Sequence, residues 1–265
     1  MVELNALVAD LRDEGAEIDG LVRGLDREAW ATPTPAAGWT VAYQIAHLAW
    51  TDQRALLAAR DPAGFHAEVA HYASIVPVDR LDELVDQFAA DGAKAPPEEL
   101  LADWRQGRAD LAETLLELPA ATKLPWYGPP MSAPSMATAR LMETWAHGND
   151  IADALGVRRE PTGRIRHVAH IAVRTRDWAY IVRGLAPPAE PFRVELTAPD
   201  GAVWIWGPED ATQRVTGPAL DFCLLCTQRV HRADTEMVAI GADADGWLDI
   251  AQAFAGPPGK GRAAR

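Results

Sequence analysis

Between residue 3 and about residue 26 the apolar positions Leu4, Leu7, Leu11, Ile18, Leu21, Val22 and Leu25 recur at near-helical spacing, with acids and arginines between them. Such a period predicts a helix that turns one face toward a core. The stretch ATPTPAAGW interrupts it with two prolines and a glycine, and Thr40 then stands in an N-cap position before VAYQIAHLAWTDQRALLAARD, a second helix predicted to run to about Asp61 and stop at Pro62. A variable region follows, with a short helix expected around residues 79 to 90. APPEELLADWRQGRADLAETLLELP has prolines at its start, acids in its first turn and Pro119 at its exit, which predicts a third long helix. Residues 119–135 carry five prolines and no period, and read as a loop. A fourth long helix is expected from about Pro134 to Leu155, closed by Gly156 in a left-handed C-cap. Four amphipathic helices of this length predict a bundle.

Beyond residue 160 the pattern changes. RIRHVAHIAVRTRDWAYIVRGL reads as one more helix, and FRVELTAPDGAVWIWGP as two strands joined at Asp200-Gly201, a hairpin signal. A third strand near 212–216, a helix over 218–231, a short strand over 237–240 and a closing helix over 243–254 complete a small unit of helices and strands. The expected class is therefore α+β, with domains at 1–160 and 161–258 and a flexible tail at 259–265.

Composition narrows the function classes. A chain of 265 residues, 48% hydrophobic and 24% charged, has the balance of a globular protein that can bury a large core. Its formal charge of −13, with the cationic residues interspersed among acids along the sequence, argues against a partner held by phosphate contacts, so neither nucleic acid nor an anionic membrane is expected. No leader-like apolar segment opens the sequence and no run reaches a membrane span, so a cytoplasmic location is expected. Cys223 and Cys226 form a lone CxxC around two leucines, which reads as two packed core thiols rather than zinc ligands or a redox pair.

The chemistry concentrates in RLMETWAHGNDIADALG. Glu143 and His147 lie four apart and project from one helix face, with Arg140 and Asp150 on or near the same stripe. Glu and His at this spacing are a recurring way for one helix to give a metal two ligands, although a solvated acidic face has the same spacing. His47, flanked by Ile45, Ala46, Leu48 and Ala49, is the candidate third ligand, against the alternative of a core histidine bonded to a carbonyl. Inward-facing His and Glu from facing helices must pair or share an ion, because burying them unpaired costs several kcal/mol. Two imidazoles and one carboxylate are the donor set of a catalytic zinc rather than a structural one, since an open position remains; nickel, manganese and iron also suit a set containing a hard carboxylate. His66, His71 and His231 read as surface or core residues, and His167 and His170, three apart on one helix, form a conceivable zinc pair with no third partner at motif spacing. Trp39, Trp50, Trp126, Tyr127 and Trp145 fall in segments expected near the metal, where they read as core packing or as an aromatic wall.

GWTVAYQIAHLAW together with ARLMETWAHGNDIADALG resembles the DinB-like, mycothiol-dependent maleylpyruvate isomerase family of actinobacteria. The resemblance implies a metal-binding N-terminal four-helix bundle with His47, Glu143 and His147 as ligands, and Asp150 in a supporting or substrate-contacting role. It implies a smaller C-terminal α+β domain similar to sterol carrier proteins, in which Arg229 matches an arginine that handles substrate, although Cys-Thr-Gln before it departs from the family's small-residue approach. The implied cosubstrate is mycothiol, a low-molecular-weight thiol, and the implied reaction is thiolate attack on an unsaturated or electrophilic small molecule, giving an isomerase or an S-transferase. WYGPPMSAPSMATARLMETWAHG resembles a metal-binding subgroup whose members are not all known to be isomerases. The alternatives are a non-catalytic protein that holds a metal and an apolar ligand, and a hydrolase using metal-bound water with Asp150 as base. A monomer or a homodimer is expected.

Overall fold

The computed structural model describes residues 3–77, 80–119 and 121–265, excepting the side chains of residues 81 and 82. The chain divides into two compact units, residues 1–159 and 160–265.

In the first unit, α1 (Leu4–Val22), the single turn α2 (Arg27–Trp30), α3 (Val41–Arg60), α4 (Pro62–Ile75), α5 (Leu81–Gly92), α6 (Pro97–Glu117) and α7 (Ala133–Ala154) follow one another. The four long helices pack in a ring, α1 on α6 and α7, and α3 on α6 and α7, which is a four-helix bundle. Ile18, Val22, Val41, Ile45, Leu48, Leu101, Trp104 and Ile151 form much of its core. The caps are those the sequence dictates. The Thr40 hydroxyl accepts from the Tyr43 N–H at the start of α3, the Ser132 hydroxyl accepts from Ser135 N–H at the start of α7, and Gly156 adopts φ +65° just past α7.

α3 stops before Pro62 as expected, but Pro62 is also the first residue of α4, a helix not expected there, capped by Asp61, whose carboxylate accepts from the Gly64 N–H at 2.9 Å. A proline at that position gives up an N–H that has no helical partner, so it starts α4 while closing α3. The proline-rich loop, in turn, contains a two-residue antiparallel ladder, β1 (Lys123–Leu124) against β2 (Met131–Ser132).

The second unit opens with α8 (Ile165–Arg174) and α9 (Arg176–Ile181), where one helix was expected. The break falls at Thr175, whose hydroxyl donates to the Ile171 carbonyl of its own helix and to the Gln252 carbonyl, a side-chain competition with helical bonding that bends helices. β3 (Phe192–Thr197) and β4 (Val203–Trp206) form the expected hairpin through Gly201 at φ +84°. β5 (Gln213–Pro218) then pairs parallel to β3, and β6 (Val238–Ile240) antiparallel to β5, giving the strand order β4-β3-β5-β6. α10 (Ala219–Cys226) is shorter than the predicted 218–231, because Gln228 turns left-handed at φ 60° and the N–H groups of Gln228 and Arg229 return to the carbonyls of Leu225 and Leu224. α11 (Ala242–Ile250) follows β6, and residues 251–265 have no regular secondary structure. Val194, Leu196, Val215, Phe222 and Trp247 are buried in this unit together with the free thiols of Cys223 and Cys226. No helix among the described residues is long and apolar enough to cross a membrane.

Candidate metal centre

The loop before α3 and the first two turns of that helix assemble one wall of the site. Gly38 takes φ +82°, the Thr34 N–H donates to the Trp39 carbonyl at 2.8 Å, and the Val41 N–H donates to the Thr32 carbonyl at 3.1 Å. This tight reversal carries the Trp39 indole onto the histidines. The indole stacks on His147 with ring centroids 5.7 Å apart and planes 16° apart, and lies 5.2 Å from the ring of His47. The two imidazoles stand 4.5 Å apart, centroid to centroid.

His47, on α3, and Glu143 and His147, on α7, converge. One carboxylate oxygen, Oε2 of Glu143, lies 3.6 Å from His47 Nε2 and 3.2 Å from His147 Nε2. A single ligand atom from each of the three residues can be chosen so that all lie within 4.8 Å of one another. Their side chains keep 12%, 23% and 13% exposure for His47, Glu143 and His147, so the cluster is sheltered without being sealed. The shelter pushes the Glu143 carboxyl up, but hydrogen bonds and charge from His147 and His47 outweigh it and hold the group well below the usual carboxylate range.

The histidines are held differently. His147 Nδ1 is hydrogen-bonded to Oε1 of Gln44, whose own Nε2 donates to the Thr34 hydroxyl at 2.9 Å. Nδ1 of His47 is buried and has no hydrogen-bond partner among the described residues, and the ring packs against Trp39 and His147.

Behind the cluster a buried ion pair joins the two ligand-bearing helices. Arg140, one turn before Glu143, donates from Nε to Asp52 Oδ1 at 2.8 Å and from Nη2 to the Thr51 hydroxyl at 2.6 Å. That hydroxyl donates to the carbonyl of His47 itself at 2.8 Å.

The other sequence candidates lie elsewhere. Asp150 is fully buried, one turn beyond His147 on α7. Arg229 belongs to the second unit, where its guanidinium donates to the Thr227 carbonyl. Trp145 is core, while Trp50, Trp126 and Tyr127 join Phe65 and Phe88 in an aromatic cluster of the first unit. His170 Nδ1 accepts from the indole N–H of Trp206 at 3.1 Å. Gln44 and Thr34 escaped the sequence reading. The available signal for Gln44 was a lone amide one turn before His47 on an otherwise apolar stretch, since a fully buried amide must find partners.

Comparison with known proteins agrees with this architecture. The family profile described as the mycothiol maleylpyruvate isomerase N-terminal domain matches residues 11–152, and one described as wyosine base formation matches residues 188–239. An uncharacterized protein found in two strains of Mycobacterium tuberculosis is 56% identical over 262 residues, covering 99% of this chain and all of the relative. Crystal structures of the mycothiol-dependent maleylpyruvate isomerase and of a histidine-to-alanine mutant of it superpose with a TM-score of 0.59 at 16% identity, covering 90% of this chain and 93% of theirs. At that identity the likeness speaks for the fold, whereas the profile spans more than half of the chain. The chain therefore belongs to the DinB-like, mycothiol maleylpyruvate isomerase family.

Proposed function

We propose that His47 Nε2, Glu143 Oε2 and His147 Nε2 hold one divalent metal, most simply zinc, and that the protein uses it in a thiol-dependent reaction on an electrophilic small molecule. The observation that carries the reading is the convergence of two imidazole nitrogens, one from each of two helices, on one carboxylate oxygen. Two ligands about 2.1 Å from a tetrahedral ion stand about 3.4 Å apart, and the Glu143 oxygen already lies 3.2 and 3.6 Å from the two imidazole nitrogens. The donor set fits as well, because three protein ligands leave a position open, and the partial exposure of all three side chains leaves that position reachable.

When bound, the dication supplies a charge that lowers the pKa of a thiol in its open position, so that the thiolate form is present at neutral pH. The residues of the chain do the rest. Glu143 offsets part of the ionic charge, the Trp39 indole covers one side of His147 and forms an apolar wall, and Asp150, fully buried beyond His147, acts within α7 as support and does not meet substrate. Family membership makes mycothiol the proposed thiol and an isomerisation or S-transfer the proposed chemistry, carried out by a protein free in the cytoplasm.

Metal analysis of the purified protein, followed by thiol consumption across a panel of electrophiles with and without mycothiol, tests this. The expected result is one equivalent of metal in the wild type, lost in each of His47→Ala, Glu143→Ala and His147→Ala while the fold persists, together with electrophile turnover that needs both metal and thiol. Stoichiometric metal in all three variants would end the metal assignment; metal-loaded protein inert with every thiol would end the enzymatic one.

A further inference from the structure

We propose that Gln44 is a positioning residue: it fixes His147 in the tautomer that carries its proton on Nδ1, and so aims an unprotonated Nε2 at the point shared with Glu143 and His47. The metal-affinity part of this inference rests on the function proposed above; the tautomer part does not.

Gln44 sits on α3 one turn before His47, and its side chain is fully buried. A buried primary amide needs partners at both ends, because an end left unsatisfied gives up its hydrogen bonds to water and gains none in return. Both ends are satisfied. The amide nitrogen donates to the Thr34 hydroxyl at 2.9 Å, and the amide oxygen contacts His147 Nδ1. What orients the amide lies one bond further out. The Thr34 hydroxyl donates its only proton to the Trp39 carbonyl at 3.0 Å, so toward Gln44 it presents lone pairs and accepts. An amide turned the other way would set its oxygen against those lone pairs unless the hydroxyl left the carbonyl. The nitrogen therefore faces Thr34 and the oxygen faces the imidazole.

An amide oxygen can only accept, so Nδ1 of His147 must carry a hydrogen. A neutral imidazole has one N–H, and with that hydrogen on Nδ1 the lone pair is on Nε2, the nitrogen 3.2 Å from Glu143 Oε2. The relay Trp39 carbonyl, Thr34 hydroxyl, Gln44 amide, His147 imidazole thus begins in the tight loop before α3 and ends at a nitrogen on α7. It explains why a polar side chain lies in the apolar core of the ligand helix. Gln44 also differs in role from the two histidines and the glutamate, because it acts through His147 and does not itself reach the shared point.

The test uses the full-length protein. In metal-free, 15N-labelled wild type, at a pH where His147 is neutral, long-range proton–nitrogen correlation spectra should show an Nδ1–H, Nε2-unprotonated ring, assigned by loss of the signal in His147→Ala. Gln44→Leu, which keeps volume and removes the acceptor, should lose that tautomer bias and weaken zinc binding by about 10–100-fold, the usual effect of removing an outer-sphere partner. Gln44→Glu, which retains an acceptor oxygen toward His147 and meets Thr34 only if that hydroxyl turns from the Trp39 carbonyl to donate to the new carboxylate, should restore the tautomer. A wild-type His147 protonated on Nε2 overturns the inference without recourse to any Gln44 variant, as does a folded Gln44→Leu with unchanged tautomer and zinc affinity. Absence of zinc binding in wild type with the Nδ1–H tautomer intact would instead strike the metal assignment and leave the orienting role of Gln44 standing.

Discussion

Arg140→Met is expected to remove roughly 3–5 kcal/mol of folding free energy, the range for breaking a buried ion pair from one side. Burial decides the magnitude. Exposed pairs are worth about 0–1 kcal/mol, but the Arg140 and Asp52 side chains are only 2% and 5% exposed, so water does not replace what the guanidinium supplied. Methionine keeps the apolar stem and most of the volume. Thr51 keeps its bond to the His47 carbonyl, so the deficit falls on Asp52, whose carboxylate is left with the more distant charge of Arg108. Urea unfolding of the full chain, followed by far-ultraviolet circular dichroism, reads the effect. With a slope of about 2–3 kcal/mol per molar, the midpoint should fall by about 1–2.5 M. Adding Asp52→Leu to Arg140→Met should recover most of the loss, because removing both charges also removes the desolvated carboxylate. A midpoint shift under about 0.3 M, or a double variant no more stable than the single one, would refute the idea that this pair locks α3 to α7.

Further outcomes follow from the same geometry. Because the folded pKa of Glu143 is depressed, the stability its carboxylate contributes is fully present above its ordinary value of 4.5 and is lost as pH falls through the folded value. Metal-free Glu143→Gln should therefore be less stable than wild type at mildly acidic pH, and the two should converge in strong acid; a gap that persisted unchanged there would contradict the assignment. Gly148 follows His147 where α7 meets α1, and a Cβ at that position would stand 2.1 Å from Ile18 Cδ1. Gly148→Ala should thus be destabilising by up to about 2 kcal/mol, overpacking of 1–3 kcal/mol set against a helix gain of about 1. Ile18→Ala should cost less in that background than in wild type, and additive losses in the thermal unfolding cycle would show that no clash occurs. Cys223 and Cys226 are fully buried and burial pushes both thiols up, so an aromatic disulfide reagent at pH about 8 should label neither until denaturant is added; prompt labelling of native protein would contradict that burial.

The bundle was readable because its helices advertise themselves twice, through a 3.6-residue period and through Thr40, Pro97 and Gly156 at their ends. The three convergent side chains were likewise readable, two from i, i+4 spacing and the third from the resemblance of GWTVAYQIAHLAW to the family's stretch. What escaped depends on contacts the sequence does not order. That Pro62 starts a helix as well as stopping one turns on the Asp61 cap, and the break at Thr175 on the carbonyl of Gln252, a residue 77 positions away. The parallel pairing of β3 with β5 cannot be told from a meander by alternation alone. Gln44 looked like an ordinary helix residue because its importance lies with Thr34 on one side and His147 on the other.

His47 and His147 stand 100 residues apart in the chain, and no fragment ending before α7 contains both. During synthesis at about 5–20 residues per second, the first imidazole leaves the ribosome about 5–20 s before its counterpart. A nascent chain in that interval offers a cation one lone histidine from this cluster and nothing to close around it. On the proposed metal-binding reading, loading of an ion at this cluster is consequently a late event that waits for the last helix of the bundle to be translated and docked.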